Sequence, residues 1–266
     1  MIEPLLLTTT QVVTFAGTSE LTRATGFYFE RDERLFLITS RHVLFDAPSK
    51  HSPDRLEITV RTDTANLTKS VQYSMPLYRD GLSLWRTAKD SGGEIDVGAL
   101  EIERGKLPQA ATLCCFTPAH LQDSLEEVEV GASLRVVGFP LGFHDTLHRL
   151  PIVRHAAIAS SFGVRFQGQG FFLTDARTHR GMSGAPVVMR ADTAGLAFPW
   201  KLLGVHSSRM EMSGRDVTLD EALSLNCAWY ADVLMALTQE AEKAEVQPES
   251  DSARLRSLAS ARDDKR

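Results

Sequence analysis

Three residues of this chain carry side chains that could together cleave an acyl bond: His42, Asp96 and Ser183. Ser183 lies in "RGMSGAPVV" (180–188), between small residues and ahead of a β-branched run. A serine hydroxyl is a poor nucleophile until a positioned base takes its proton and a third group fixes that base's tautomer. Among the eight histidines, His42 stands directly after a hydrophobic strand signal, in "FLITSRHVLF". Ser40 is expected to cap a short helical turn there and aim the imidazole outward. Asp96, in "SGGEIDVGALEI", sits where a Gly-rich loop meets a strand, flanked by Ile95 and Val97. A carboxylate in so apolar a setting needs a hydrogen-bond donor, and an imidazole N–H would serve. Around Ser183 the small residues let a substrate approach the backbone, where the amides of Gly181 and Ser183 can converge on one oxygen. Taken alone, Gly-x-Ser-Gly before a strand is ordinary turn chemistry; the upstream base and acid make it a candidate nucleophile.

The elements that must bring these residues together read mostly as strands. "TTTQVVTF" (8–15), "RATGFYFE" (23–30), "RLFLITS" (34–40), "RLEITVRT" (55–62), "LTKSVQYS" (67–74) and "DVGALEI" (96–102) alternate or are β-branched. A tight turn at Arg31-Asp32-Glu33 joins the second and third. The second half repeats the texture without repeating the sequence: "SLRVVGFP", "PIVRHAAIAS", "GFFLTDA", "GAPVVMR", "WKLLGVHSS" and "SLNCAWY". Such spacing predicts an antiparallel barrel or sandwich in each half, joined by the polar, acidic interval 117–130. From Trp229 the period changes. "WYADVLMALTQEAEKAEV" puts Val233, Leu234, Leu237 and Ala241 on one stripe and predicts a helix over 229–245. The charged, Ser-rich remainder, 246–266, predicts a mobile tail or a partner-docking segment.

Composition narrows the function. The chain has 266 residues, 43% hydrophobic and 24% charged, with a formal net charge of −5. No Lys/Arg cluster long enough to follow a phosphate backbone occurs, which argues against nucleic acid as a partner. No 18-residue apolar run occurs either, so no membrane partner or span is expected. "MIEPLLLTTTQ" lacks a basic n-region and its apolar run is short for a signal peptide. Three cysteines, Cys114, Cys115 and Cys227, make no disulfide framework and fit a reducing compartment. The chain reads as cytoplasmic. Adjacent Cys114 and Cys115 lack metal-ligand spacing and are expected as small buried hydrophobes in a strand.

The chain order His42, Asp96, Ser183, with a strand-rich half on either side, resembles the chymotrypsin (trypsin-like) serine peptidase family. The likeness is greatest to its HtrA/Deg-like and bacterial glutamyl-endopeptidase branches. "TGFYFERDERLFLITSRHVL" is similar to the family's strand–turn–strand leading into Thr-x-x-His. "IDVGALEI" resembles its Asp-[Ile/Leu/Val]-Ala-[Val/Leu]-Leu motif, with Gly98 in place of alanine. "VVGFPLG" resembles the Gly-x-Pro-x-Gly turn that opens the second barrel. "FLTDARTHRGMSGAPVV" resembles the segment that carries the nucleophile, and "KLLGVHSS" the strand that pairs with bound peptide. Five motifs in order, over about residues 10–238, carry the resemblance.

The resemblance implies an all-β fold of two six-stranded antiparallel β-barrels with the active site between them, followed by a C-terminal helix. The first barrel would span 8–116, the connection 117–130, the second barrel 131–228, the helix 229–245 and the tail 246–266. It also implies a serine endopeptidase that acts on protein or peptide substrates through an acyl-enzyme, with no cofactor and no metal. His42 would be the general base, Asp96 its orienter and Ser183 the nucleophile, with the amides of Gly181 and Ser183 as oxyanion hole. No PDZ-type segment is expected, unlike the full HtrA architecture. Met182 replaces the Asp or Asn that usually precedes the serine, so a freed N-terminal ammonium has no carboxylate to bury against. Ala185 replaces a glycine.

For the side chain before the scissile bond, the resemblance places the pocket just upstream of Ser183 and around 205–209. Thr178 and His206 stand there, similar to the Thr–His pair with which glutamyl endopeptidases and related viral proteases hold a Glu carboxylate or Gln amide. Arg177 and Arg209 add positive potential. Cleavage after Glu is expected, ahead of Gln or Asp. The substrate backbone would add to the edge at Ser207, Ser208 and Arg209.

Other readings compete. A silent protease fold retained for peptide binding or scaffolding shares every motif except activity. An α/β-hydrolase esterase would need alternating strands and helices, with acid and base downstream of the serine. "HDTLH" (144–148) has the two-histidine spacing of a zinc helix, but it follows a turn-rich segment and has Asp for the required Glu. His51, His120, His155 and His179 are expected to be structural or solvated. An unsecreted protease must be held in check, so a regulatory protein partner is expected to act through the tail or the loops at 191–199 and 209–222.

Overall fold

The computed structural model describes residues 2–240 except 64, 123, 192–197 and 211–223. The tail and most of both loops named above lie outside the described residues. In the first half, β1 (Thr9–Ala16), β2 (Ser19–Arg31), β3 (Arg34–Thr39), β4 (Arg55–Arg61), β5 (Ser70–Pro76), β6 (Trp85–Arg86) and β7 (Gly98–Ile102) form one antiparallel sheet in the order β5-β4-β1-β2-β3-β7-β6. In the second half, β8 (Ser133–Gly138), β9 (Ile152–Ile158), β10 (Phe171–Asp175), β11 (Pro186–Arg190), β12 (Trp200–Arg209) and β13 (Leu225–Tyr230) close into a barrel, β8-β9-β10-β13-β12-β11.

The second body is the expected six-stranded barrel. The first is a curled half-barrel of seven strands whose edges, β5 and β6, are not paired with each other. Its sequence explains the gap. Between Pro76 and Gly98 the turn signals at Asp80-Gly81 and Ser91-Gly92-Gly93 fold the chain into two hairpins of two-residue strands, Tyr78–Arg79 with Leu82–Ser83 and Lys89–Asp90 with Gly93–Glu94. No long closing strand is left. Every ladder between the named strands of both bodies is antiparallel, and the described helices are one or two turns long. The α/β-hydrolase reading is thereby excluded.

Two other expectations shift. Among the described residues the helix predicted over 229–245 is α2, Val233–Leu237, because Trp229 and Tyr230 complete β13 opposite Val205 and Gly204. Pairing across the barrel overrides the helical period; residues 241–245 lie outside the described residues. Cys114 and Cys115 are half-buried in an irregular segment, not in a strand. No helix among the described residues is long and apolar enough to cross a membrane.

Continuous apolar runs such as "GFYF" and "LFLI" are the reason the two bodies meet. Side chains alternate across a strand, so Tyr28, Leu35 and Leu37 fill the first body's own core. Phe27, Phe29, Phe36 and Ile38 point the other way, into a core shared with Val137, Val188, Leu202, Val205 and Leu234 of the second half. "PVV" splits likewise: Val187 faces the barrel interior and Val188 the shared core. The three candidate residues sit at the mouth of this seam.

Met182 enters the barrel interior, fully buried with Leu134, Val136 and Val187. A thioether fills the place of a charged group that would need a buried partner, so the segment before Ser183 is anchored by packing. Met182→Asp is expected to lower stability by about 3–5 kcal/mol, the cost of an uncompensated buried charge, whereas Met182→Leu is expected to cost less than about 1.5 kcal/mol. Denaturant unfolding monitored by tryptophan fluorescence checks both.

Candidate active site

β3 ends at Thr39 and the chain turns into a single helical turn, α1 (Arg41–Leu44), which carries His42. Ser40 was expected to cap that turn, but its hydroxyl donates to the His206 carbonyl at 3.3 Å. Asp96 caps it instead. Its Oδ1 accepts the backbone amide of His42 at 2.8 Å, and its Oδ2 lies 2.6 Å from His42 Nδ1. One carboxylate thus holds both the main chain and the ring of one residue, which fixes the ring plane and keeps the proton on Nδ1. The Ser207 hydroxyl donates to the same Oδ2 at 2.5 Å. Arg41 pairs with Glu94 at 3.2 Å. Arg165, from the second half, pairs with Asp90. Both contacts pin the hairpin that leads into Asp96.

Electrostatics follow from this geometry. Burial works to raise the Asp96 pKa, but the hydrogen bond and charge of His42, then Ser207 and the His42 amide, bring it below the usual carboxylate value. Burial works to lower the His42 pKa, and the Asp96 hydrogen bond and charge more than offset it, so His42 titrates above 6.5. The two side chains remain 34% and 20% exposed, and the imidazole reaches solvent at the seam.

Ser183 belongs to the loop that enters β11. Its neighbours alternate in how their amides are used. Met182 N–H donates to the His179 carbonyl at 3.2 Å, and Gly184 N–H to the His206 carbonyl at 2.7 Å. The Gly181 and Ser183 amides make no hydrogen bond to the described residues. The carbonyls ahead of them are both held: Arg180 by Leu141 N–H at 2.6 Å, and Met182 by Ala185 N–H at 2.9 Å. Because a trans peptide points its N–H opposite its C=O, both unspent amides are turned away from those anchors. Gly181 has φ +92° and Gly184 φ +86°. A Cβ at Gly181 would sit 2.4 Å from the Phe139 carbonyl, and one at Gly184 would fall closer still to the Thr25 carbonyl. Only glycine fits at either position.

Thr25, from the first body, is the clamp on this loop. Its N–H donates to the Ser183 carbonyl at 3.0 Å and its hydroxyl to the Gly181 carbonyl at 2.6 Å. The same hydroxyl accepts Phe139 N–H at 3.1 Å, and the Thr39 hydroxyl donates to the Thr25 carbonyl at 2.7 Å. Ser183 is therefore tied to the strand pair that ends in His42. At rest, no hydrogen bond joins Ser183 Oγ to the His42 ring among the described residues. Such bonds often tighten only when substrate is bound.

The residues expected to bind substrate are placed unevenly. Thr178 is buried, and its hydroxyl bonds Asn226 Oδ1 at 2.5 Å. Asn226 Nδ2 donates to the carbonyls of Ala176 and Ser224 at 2.7 and 2.8 Å. His206 is buried, and its backbone docks the Ser183 loop through Gly184 and Ala185. Ser207 points inward to Asp96 and is not available as an edge side chain. Ser208 is exposed, and Arg209 faces Asn226 in the ladder after a bulge. Thr25 and Asn226 were not singled out in the sequence. For Asn226 a signal existed, since an asparagine inside the apolar strand "LNCAW" must find buried partners.

A sequence profile for the trypsin-like peptidase domain matches residues 24–194, which include His42, Asp96 and Ser183. The chain belongs to that family. No curated protein matches it. Among solved structures, the HtrA-type protease AlgW with tripeptide superposes with a TM-score of 0.52 at 16% identity, over 87% of this chain and 58% of that one. The serine endoprotease from Yersinia pestis gives 0.48 at 13% identity, over 87% of this chain and 61% of that one. This trypsin-like chain thus spans about three fifths of the length of either, and at such identities the likeness is one of fold.

The grip of Asp96 on the ring has a direct readout. By NMR, His42 is expected to titrate above 6.5, and Asp96→Asn to move its midpoint down, because burial then acts without the Asp96 charge, the larger of the two that oppose it. A midpoint that does not move would detach Asp96 from the imidazole.

Proposed function

We propose that this trypsin-like chain is a serine endopeptidase in which His42, Asp96 and Ser183 act as a triad. The observation that carries the reading is the double hold of Asp96 on His42 beside a loop whose Gly181 and Ser183 amides are unspent. In this mechanism His42 Nε2 takes the Ser183 proton as Oγ attacks the scissile carbonyl, and the carbonyl oxygen, now negative, is received by the two amides. His42 then gives the proton to the leaving amine, and water releases the acyl group by the same steps in reverse. The base must be neutral, so activity falls as pH drops through a His42 midpoint set above 6.5 by Asp96.

The substrate strand is proposed to pair with the β12 edge. The β11–β12 ladder ends at Pro186 opposite Val205, and no strand among the described residues pairs with that side of 207–209. Glu is proposed before the scissile bond, with Gln or Asp behind it. Burial of Thr178 and His206 next to the nucleophile loop supports a polar pocket, and Arg177 lies exposed at its approach.

Mass-spectrometric profiling of a peptide library tests both levels. The expected result is cleavage after Glu by wild type, reduced at least about 10⁴-fold in Ser183→Ala and in His42→Ala. Cleavage only after apolar or basic residues would overturn the pocket assignment and leave the triad standing. Undiminished cleavage by Ser183→Ala would overturn the mechanism.

A further inference from the structure

A second polar region lies next to the Ser183 loop. The Phe139–Gly142 turn separates the two. A Cβ on Gly181 would lie 3.2 Å from Leu141 N and 3.4 Å from Gly142 N, and one on Gly142 would lie 3.6 Å from both Arg23 Cδ and Gln11 Nε2. A peptide strand laid along 207–209 and across Ser183 that continues over this turn would bring its leaving segment toward Gln11 and Arg23. There the surface opens into a cavity of about 400 Å³. That cavity shares Gln11, His144 and Arg149 with a recess of about 10 Å³, which Arg61 and Thr10 also line. The recess has room for one water-sized group, such as a carboxylate oxygen.

Its chemistry is one-sided. Arg61 is 6% exposed, and no carboxylate lies within 4 Å of it among the described residues. Its Nη2 donates to the Arg149 carbonyl at 2.9 Å, but its buried Nε has no partner. Gln11 Nε2 is buried and without a partner as well. Burial alone lowers the Arg61 pKa, as expected of a cation removed from water without a counter-ion. The glutamates of the wider cavity are paired, Glu20 with Arg23, which lines the same cavity, at 2.6 Å, and Glu57 with Arg55 at 3.4 Å. No acidic residue lines the recess. Orphaned donors beside two arginines call for an anionic acceptor.

We propose that the recess formed by Gln11, Arg61, His144 and Arg149 is a carboxylate subsite on the leaving-group side of the scissile bond. It takes an acidic residue of the substrate, or the free C-terminal carboxylate of a short leaving segment. The proposal rests on the endopeptidase reading of Ser183, which fixes where the leaving segment goes.

Binding to the Ser183→Ala protein tests it without turnover. Fluorescence anisotropy would compare peptides identical before the scissile bond and bearing Asp or Glu, or their amides Asn or Gln, after it. Each is made with a free and an amidated C-terminus. The expected result is about tenfold tighter binding of the acidic peptide, lost when Arg149→Gln is added, while the neutral amidated peptide binds as before. An advantage that follows only the free C-terminus supports the subsite and names the chain end as its source. Equal affinity for acid and amide with either terminus overturns the proposal. So does an advantage that survives both Arg149→Gln and Arg61→Gln in proteins whose thermal unfolding shows them folded. Wild-type turnover of the same peptides separates the two levels: cleavage without discrimination removes the subsite alone, whereas neither cleavage nor binding removes the endopeptidase reading with it.

Discussion

Asp96 is held by three donors, and the arrangement of the site depends on that set. The amide of His42, its Nδ1 and the Ser207 hydroxyl all converge on one carboxylate. Two of the donors come from the first body and one from the second, so the contact exists only when the bodies are docked. Burying a carboxylate beside Ile95 and Val97 works against its charge. With three donors the balance reverses, and Asp96 stays ionised while His42 is easier to protonate. The ion pairs Arg41–Glu94 and Arg165–Asp90 are secondary to this, since they hold the hairpin that delivers the carboxylate.

A second set of contacts holds Ser183 in the same way. The Ser183 loop belongs to the closed barrel, yet two of its carbonyls are bound by Thr25 of the open sheet. Met182 anchors the same loop from the other side by filling the barrel core. Between a clamp outside and a plug inside, the Gly181 and Ser183 amides make no hydrogen bond to the described residues. Neither anchor involves a charge. The apolar seam of Phe27, Phe29, Phe36 and Ile38 against Val188, Leu202 and Val205 keeps clamp and plug in register.

The sequence made His42, Asp96 and Ser183 legible because each carries local context: a strand end, a Gly-rich loop entering a strand, a turn of small residues. Strand positions were legible for the same reason, since period-2 alternation and turn residues are local. Long-range partners were not. Thr25 meets Gly181 across 156 positions and Ser207 meets Asp96 across 111. Nothing near Ser207 distinguishes a serine offered to substrate from one turned onto a buried acid. Ser40 misled in the opposite way, because its local capping signal lost to the His206 carbonyl while Asp96 capped the turn from a distance. The helix over 229–245 failed where Trp229 and Tyr230 found strand partners, a competition that amphipathic period alone does not reveal.

If docking of the two bodies is all that Ser183 needs as a nucleophile, the resting chain reacts at that residue without a further event. Intact-mass analysis after incubation with a fluorophosphonate measures that directly. A single covalent adduct is expected on the wild-type chain and none on Ser183→Ala or His42→Ala. An unmodified wild-type chain, or an adduct that persists in His42→Ala, would contradict it.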